Sequence, residues 1–314
     1  MKKIESVLLA GAGAVGLTVG EAIWRYDSAC ISVLAKGERL ERYRSRGLFV
    51  NGVRIGFALA DGSPVCAPAD LIIVASKFHH LSQIIADIRP YVGKDTIILS
   101  LLNGITSEEL IGAVYGAERL PLAFIIATDA FHEDGKTTVG RRGVINFGDA
   151  GGKNGAREQL IADFFSRAGV AYEIHADMKR RLWYKFMINA GANQVSAILR
   201  LPYAAMQKKG ADNPGEIPEV RELVESAMRE VIAVANAQGI DLGEGDIDNW
   251  YEAVNSLNPA GYTSMCQDVL ARRKTEVEMF SLTVIEYGKK YGVSAPVNEV
   301  LYRALKTIER QFGV

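Results

Sequence analysis

Apolar positions along this chain follow two regimes. In the first half, short apolar runs alternate with stretches whose apolar residues recur every three to four positions. The runs at 6–10, 31–35, 71–75 and 96–101 read as buried strands. The stretches at 15–25, 38–46 and 79–88 read as helices, the last stopped before Pro90. Asn51-Gly52 divides two apolar-rich runs and predicts a tight hairpin over 48–55. Thr106-Ser107-Glu108-Glu109 reads as a capping box opening another helix. A strand over 122–127, a hairpin partner over 137–147, a glycine-rich loop over 148–155, a helix over 156–167 and a strand over 171–174 complete the half. This βαβα rhythm predicts an α/β fold: a Rossmann-type, doubly wound, mostly parallel sheet with right-handed crossovers.

From about Asp177 the rhythm changes. Strand signals stop, and patterns of helical period cover 178–199, 219–237, 265–287 and 297–312. A chain of 314 residues is long for one core. The expected organisation is a dinucleotide-binding domain over 1–176 and an all-helical substrate and catalytic domain over 177–314. No sustained heptad pattern specifies an interface, so a homodimer built on the helical half stays open.

Charge narrows the partners. Lys+Arg number 36 against 37 Asp+Glu, a balance that argues against nucleic acid or a membrane surface. Lys2-Lys3 before an apolar run superficially resembles a signal peptide. Glu5 and the glycine spacing within the run assign it to the folded protein instead. Cys30, Cys66 and Cys266 are far apart and read as buried hydrophobes or inert thiols of a reducing compartment. The four histidines have no metal-ligand spacing, and no metal is expected.

The first candidate chemistry is Gly11-Ala12-Gly13-Ala14-Val15-Gly16, a Gly-x-Gly-x-x-Gly between strand and helix. Gly11 suits the tight turn, Gly13 the close approach of a pyrophosphate, and Gly16 the packing of helix on strand. The phosphates would sit on the helix N-terminus. A carboxylate at the end of the second strand usually holds the ribose hydroxyls of NAD, whereas a cation there suits a 2′-phosphate. Here Val33-Leu34-Ala35 runs into Lys36, with Arg39 nearby and no acid before Glu38. The reading is NADP(H) over NAD(H), against the alternative of a solvated surface lysine. Lys77 and Asn103 each follow a strand, so both fall at the sheet edge where ligands bind in open α/β folds. Their plainer readings are a surface lysine and simple turn chemistry beside Gly104.

In 181–193, Lys185, Asn189 and Asn193 recur every four residues on an otherwise apolar helix. Such a polar stripe is either a solvent face or a site, and asparagine is a mediocre helix former that needs a reason to be there. Thr263-Ser264 reads as a hydroxyl-capped helix start. The Lys274–Glu278 cluster alone would be a salt-bridged helix surface.

Together these landmarks resemble the ketopantoate reductase (2-dehydropantoate 2-reductase) family over nearly the whole chain. The resemblance rests on Gly11–Gly16, Ser76-Lys77, Leu102-Asn103-Gly104, Leu182-Trp183-Tyr184-Lys185-Phe186 with Asn189 and Asn193, 263–268, Thr275-Glu276 and 292–296. Phe78-His79-His80 departs from the family's usual aromatic-Gln pattern. The resemblance implies an NADPH-dependent reductase of a 2-oxo acid, with 2-dehydropantoate as the expected substrate and pantothenate synthesis as the setting. It implies that Lys36 holds the 2′-phosphate, that Lys77 and Asn103 contact cofactor and substrate, and that Lys185 and Glu276 are catalytic. Asn189, Asn193 and Ser264 complete the implied substrate set. Were Ser264 and Glu276 on one straight helix, their spacing of twelve positions would hold them about 18 Å apart. A same-fold reductase of another 2-oxo or hydroxy acid, and a non-catalytic NADP(H)-binding sensor, remain the alternatives.

Overall fold

Strands β1 (Val7–Ala10), β2 (Ile31–Leu34), β5 (Ala58–Ala60), β6 (Leu71–Val74) and β7 (Ile97–Ser100) form a parallel sheet in the order β5-β2-β1-β6-β7. The computed structural model describes residues 3–63, 67–209 and 213–314. Every residue of β1, β6 and β7 is buried, which is why these strands read as continuous apolar runs rather than alternating ones. Strand alternation still decides which core each side chain joins. Val7, Leu9, Val33, Ile73 and Leu99 pack with Leu17 and Ile23 of α1 (Ala14–Tyr26) and Phe164 and Phe165 of α5 (Ala156–Ala168). Leu8, Ile72, Val74 and Ile98 join Leu81 and Ile84 of α3 (Leu81–Asp87) and Ile111 of α4 (Ser107–Tyr115) in a second core. The sheet is therefore doubly wound, as expected.

Beside it lies a second, mixed sheet that the alternation did not separate from the first. Strands β3 (Leu48–Val50), β4 (Val53–Ile55), β8 (Leu122–Glu133), β9 (Lys136–Gly148) and β10 (Tyr172–Ile174) pair in the order β10-β9-β3-β4, with β8 antiparallel to β9. The Asn51-Gly52 hairpin joins β3 to β4 as predicted, with φ of 49° and 79° at the two turn residues. The β8–β9 hairpin also forms. It runs past the predicted 127 because a positive φ at Ala127 and a register shift at Asp129/Ala130 disturb the alternation without ending the pairing. At the start of α4 the predicted capping box is absent: the buried Thr106 hydroxyl has no hydrogen-bond partner. Instead Ser107 Oγ donates to Glu108 Oε2 at 2.7 Å, and Ala123 N–H donates to Glu108 Oε1 at 3.3 Å.

The chain divides into two compact units, one of Met1–Asn103 and Ser107–Lys179, the other of Gly104–Thr106 and Arg180–Val314. Among its described residues the second unit has no strand. The pattern over 178–199 forms α6 (Met178–Ile188) and α7 (Gln194–Leu199), joined by one widened π turn at Asn189–Asn193. Helix α8 (Pro218–Asn236) matches its prediction, and α9 (Glu244–Asn255) is additional. Its signal was present: Gly243 N–H donates to Asp246 Oδ2 at 2.9 Å, and Ile247, Trp250, Tyr251 and Val254 form a buried stripe.

The single helix expected over 265–287 is two: α10 (Ser264–Leu270) and α11 (Thr283–Tyr291), the latter entered through a π turn at Glu278–Leu282. Helix α12 (Pro296–Phe312) closes the unit. Cys30 and Cys266 are free and buried, while Cys66 lies outside the described residues. Among the described residues no helix is long and apolar enough to cross a membrane.

Candidate functional site

Gly11 and Gly16 answer the packing demands of the turn between β1 and α1. Gly11 follows β1 with φ +121°, and a Cβ there would run into the carbonyl of Ala75. A Cβ on Gly16 would collide with the Gly11 carbonyl oxygen. Both glycines are thus required by packing within the unit. Gly13 differs: it caps α1, and its Cβ would meet nothing within 4 Å. The protein itself makes no demand for glycine there, and the open space is what a closely approaching pyrophosphate needs. Leu17 N–H donates to the Gly13 carbonyl at 2.9 Å. The N–H groups of Ala14, Val15 and Gly16 belong to the end that a helix leaves without internal partners, and no acid occupies that first turn. The segment Gly11–Gly16, with Ala12 in the turn, fits a dinucleotide diphosphate.

Beyond the ends of β1 and β2 a cavity of about 570 Å³ opens, lined among others by Gly11, Ala35, Lys36, Arg39, Arg42 and Asp87. Lys36 is the N-cap of α2 (Gly37–Arg46), two positions past the end of β2. Three cations and the acids Glu38 and Asp87 share this space. Lys36 Nζ donates to Asp87 Oδ1 at 3.0 Å, and Gln83 Nε2 donates to the same oxygen at 3.0 Å. Sequence reading placed Lys36 here and missed Asp87, whose only signal was its position on the helix after a ligand-edge strand.

Lys77 and Asn103 come to one edge because the strands before them are in register: Ala10 pairs with Val74, and Val74 with Ser100. Lys77 opens a short 3-10 turn at Phe78–His80, and Ser76 Oγ donates to the Lys77 carbonyl at 3.2 Å. The helix predicted over 79–88 therefore starts later, at Leu81. Gly104, next after Asn103, has φ +83°, and a Cβ on it would press on Met279 Cγ at 2.5 Å.

In the second unit, Lys185 is partly buried on α6, and Asn189 and Asn193 are the first and last residues of the π turn. Asn193 Nδ2 donates to Asn189 Oδ1 at 3.3 Å, so the two amides face each other. Their neighbours Phe186, Met187, Ala190 and Ala192 are buried, which leaves a narrow polar line on a core helix. Gly191 permits close approach of α8: a Cβ would lie 2.7 Å from Met228 Cγ and 2.9 Å from the Val224 carbonyl. Gly191→Ala is expected to destabilise the protein by about 1–3 kcal/mol through overpacking, read as a lower urea midpoint; an unchanged midpoint would show that the packing is not tight there. Buried Gln194 is held at both ends, donating to the Ala190 carbonyl at 2.6 Å and accepting from Ser281 Oγ at 2.6 Å. This bond ties the π turn after Glu276 to the start of α7, just past the π turn of Asn189 and Asn193.

Ser264 is the exposed first residue of α10, whose cap is Thr263: its Oγ1 accepts from Cys266 N–H at 3.2 Å. Glu276 is buried in the segment between α10 and the second π turn, so it shares no straight helix with Ser264. Its neighbour Thr275 is clamped, donating from N–H at 2.9 Å and Oγ1 at 2.6 Å to Glu309 Oε1. Lys306 Nζ bridges Glu309 Oε2 at 2.5 Å and Glu278 Oε1 at 2.7 Å. Burial works against ionisation of Glu309, but the bonds from Lys306 and Thr275 prevail and hold its carboxyl below the ordinary range. Among the described residues no group of three or more His, Cys, Asp or Glu could hold a metal ion.

A doubly wound parallel sheet whose first strand runs into a Gly-x-Gly-x-x-Gly turn defines the class of Rossmann-type dinucleotide-binding folds, here in one chain with a helical second unit. The model of Ketopantoate reductase PanE/ApbA matches residues 7–152 and that of its C-terminal region matches 177–309. The chain belongs to the ketopantoate reductase family and is an oxidoreductase. Reductases of this family use a nicotinamide cofactor. The chain is 28% identical to the 2-dehydropantoate 2-reductase of Vibrio cholerae over 251 residues, 78% of this chain and 79% of that one. It is 27% identical to the enzyme of that name from Pyrococcus horikoshii over 314 residues, 98% of each. Among solved structures, the 2-dehydropantoate 2-reductase of Geobacter metallireducens is 26% identical with TM-score 0.82, covering 96% of this chain and 99% of that one. D-mandelate dehydrogenase, solved with NADH and anilino(oxo)acetate, shares the fold at TM-score 0.84 and 24% identity, covering 98% of this chain and all of its own.

Proposed function

We propose that the protein reduces 2-dehydropantoate to pantoate with NADPH, in the cytoplasm. The observation that carries the reading is the line of Lys185, Asn189 and Asn193 on a helix otherwise committed to the core. The relatives named 2-dehydropantoate 2-reductase support the substrate. Lys36 with Arg39 and Arg42 in the cavity past β2 supports the 2′-phosphorylated cofactor, and the N–H groups of Ala14 and Val15 support its diphosphate. Free, buried Cys30, whose thiol is pushed up to about 11 by burial and then by Asp27, supports inert thiols in a reducing compartment.

When bound, NADPH supplies the hydride for the carbonyl carbon. Lys185 then faces the problem that negative charge builds on the carbonyl oxygen. Its ammonium stabilises that charge and gives up the proton that completes the new hydroxyl. Asn189, Asn193 and Ser264 donate hydrogen bonds to the substrate carboxylate, the chemistry that amides and a hydroxyl provide. Buried Glu276 accepts from the substrate hydroxyl, and Lys77 and Asn103 serve the sheet-edge side.

The test follows NADPH oxidation on addition of ketopantoate, with NADH in parallel. We expect turnover with NADPH and about tenfold or lower kcat/KM with NADH, the worth of a charge-assisted contact. Equal use of NADH would overturn the Lys36 assignment. Tight NADPH binding without ketopantoate turnover would overturn the substrate and call for other 2-oxo acids.

A further inference from the structure

The carboxylate that β2 lacks reaches the same cavity from another element. Asp87, at the end of α3, lines the space past β2 and accepts from Lys36 Nζ at 3.0 Å. Gln83, one turn earlier, donates to the same Oδ1 at 3.0 Å, which fixes the carboxylate toward the lysine. The Lys36 stem is in turn held from behind by Gly62 (φ +85°), where a Cβ would overlap its Cε. The ion pair is therefore oriented from both sides. Lys36 is 43% exposed and Asp87 only 15%, so of the two lining groups the lysine is the more open to an incoming ligand.

We propose that Asp87 sets cofactor selectivity by competing with the ribose 2′-phosphate for Lys36. A doubly charged phosphate drawn to Lys36 must displace this carboxylate or share the ammonium with it, and like charges in one cavity oppose each other. A ribose 2′-hydroxyl meets the opposite situation, because a carboxylate is the group that accepts its hydrogen bond. Asp87 thus narrows the advantage that Lys36, Arg39 and Arg42 give to the phosphorylated cofactor and keeps binding of the plain one in reach.

The inference rests on the cofactor reading above, and binding measurements separate the two. Calorimetry of 2′,5′-ADP, 5′-ADP, NADPH and NADH would be run on the wild type, Asp87→Asn, Lys36→Ala and the double variant. Asparagine keeps an Oδ1 acceptor for Gln83, so the fold is retained. In Asp87→Asn, 2′,5′-ADP and NADPH are expected to bind about five- to tenfold tighter and NADH no tighter, with the gain lost in the Lys36→Ala background. If the wild type favours 2′,5′-ADP over 5′-ADP but Asp87→Asn brings no gain, the role of Asp87 falls and the cofactor reading stands. A gain that is undiminished without Lys36, or that appears equally for NADH, also overturns it. If the wild type does not distinguish 2′,5′-ADP from 5′-ADP, and Lys36→Ala changes neither, the cofactor reading itself falls.

Discussion

Lys185→Ala is expected to lower kcat for ketopantoate about 10³-fold, within the range that a positioned general acid supplies. In barrier terms that is about 4 kcal/mol. The dissociation constant for NADPH should hardly move, because the glycine cradle and the Lys36 cavity belong to the other compact unit. Lys185→Arg separates the two tasks assigned to the side chain. Its guanidinium keeps the positive charge but does not release a proton near neutral pH. It should recover part of the lost rate through charge stabilisation alone. Initial rates at saturating NADPH give the comparison, and an alanine variant within tenfold of wild type would remove Lys185 from the chemistry. A retained melting temperature, expected for a partly buried residue on the polar line, shows that the loss is not one of folding.

Most of the parallel sheet of the first unit was legible because its signals are local. Four apolar runs, an Asn-Gly turn and three spaced glycines each report their own backbone conformation, and the parallel register then carries Lys77 and Asn103 to one edge. Asp87 was not legible, because only the fold brings it to Lys36 across 51 positions of sequence. The second unit hid its irregularities for a similar reason. Glu278–Leu282 has ordinary helical composition, and Asn189–Asn193, despite two asparagines and a glycine, sits within a continuous helical pattern, yet each forms a π turn. What accompanies both is a network of distant buried amides: Ser281 Oγ reaches Gln194 and, at 3.2 Å, Asn298, whose Nδ2 donates to Glu230 at 2.8 Å. Such turns recur at functional sites, and here one carries both asparagines of the polar line. The break after α10 left no glycine or proline to read. Arg272 takes the left-handed conformation, φ 54°, that glycine normally supplies at a helix end. The break also matters for function, since it takes Glu276 off the helix that begins at Ser264.

Glu309→Ala is expected to cost about 3–5 kcal/mol of stability, the range for removing one partner of a buried ion pair. Glu309 is fully buried. Without it, Lys306 keeps only Glu278, and the N–H and hydroxyl of Thr275 lose their acceptor. Glu309→Gln preserves the shape and one acceptor oxygen, and should cost less, about 1–3 kcal/mol. The pH dependence gives a separate signature. The folded carboxyl lies below its ordinary value of 4.5, so on acidification the unfolded chain takes up this proton first. Unfolding is then favoured as pH falls, and the stability contributed by the charge, fully present above about 4.5, fades as pH drops through the folded value. Urea midpoints measured from pH 7 to pH 3 should accordingly fall more steeply for the wild type than for Glu309→Gln, and the two curves should converge in acid. Parallel curves would show that the Glu309 charge contributes nothing. Because Thr275 precedes Glu276, loss of the clamp should also raise KM for ketopantoate more than it lowers kcat, as expected when a substrate-holding carboxylate is loosened while the proton donor stays in place.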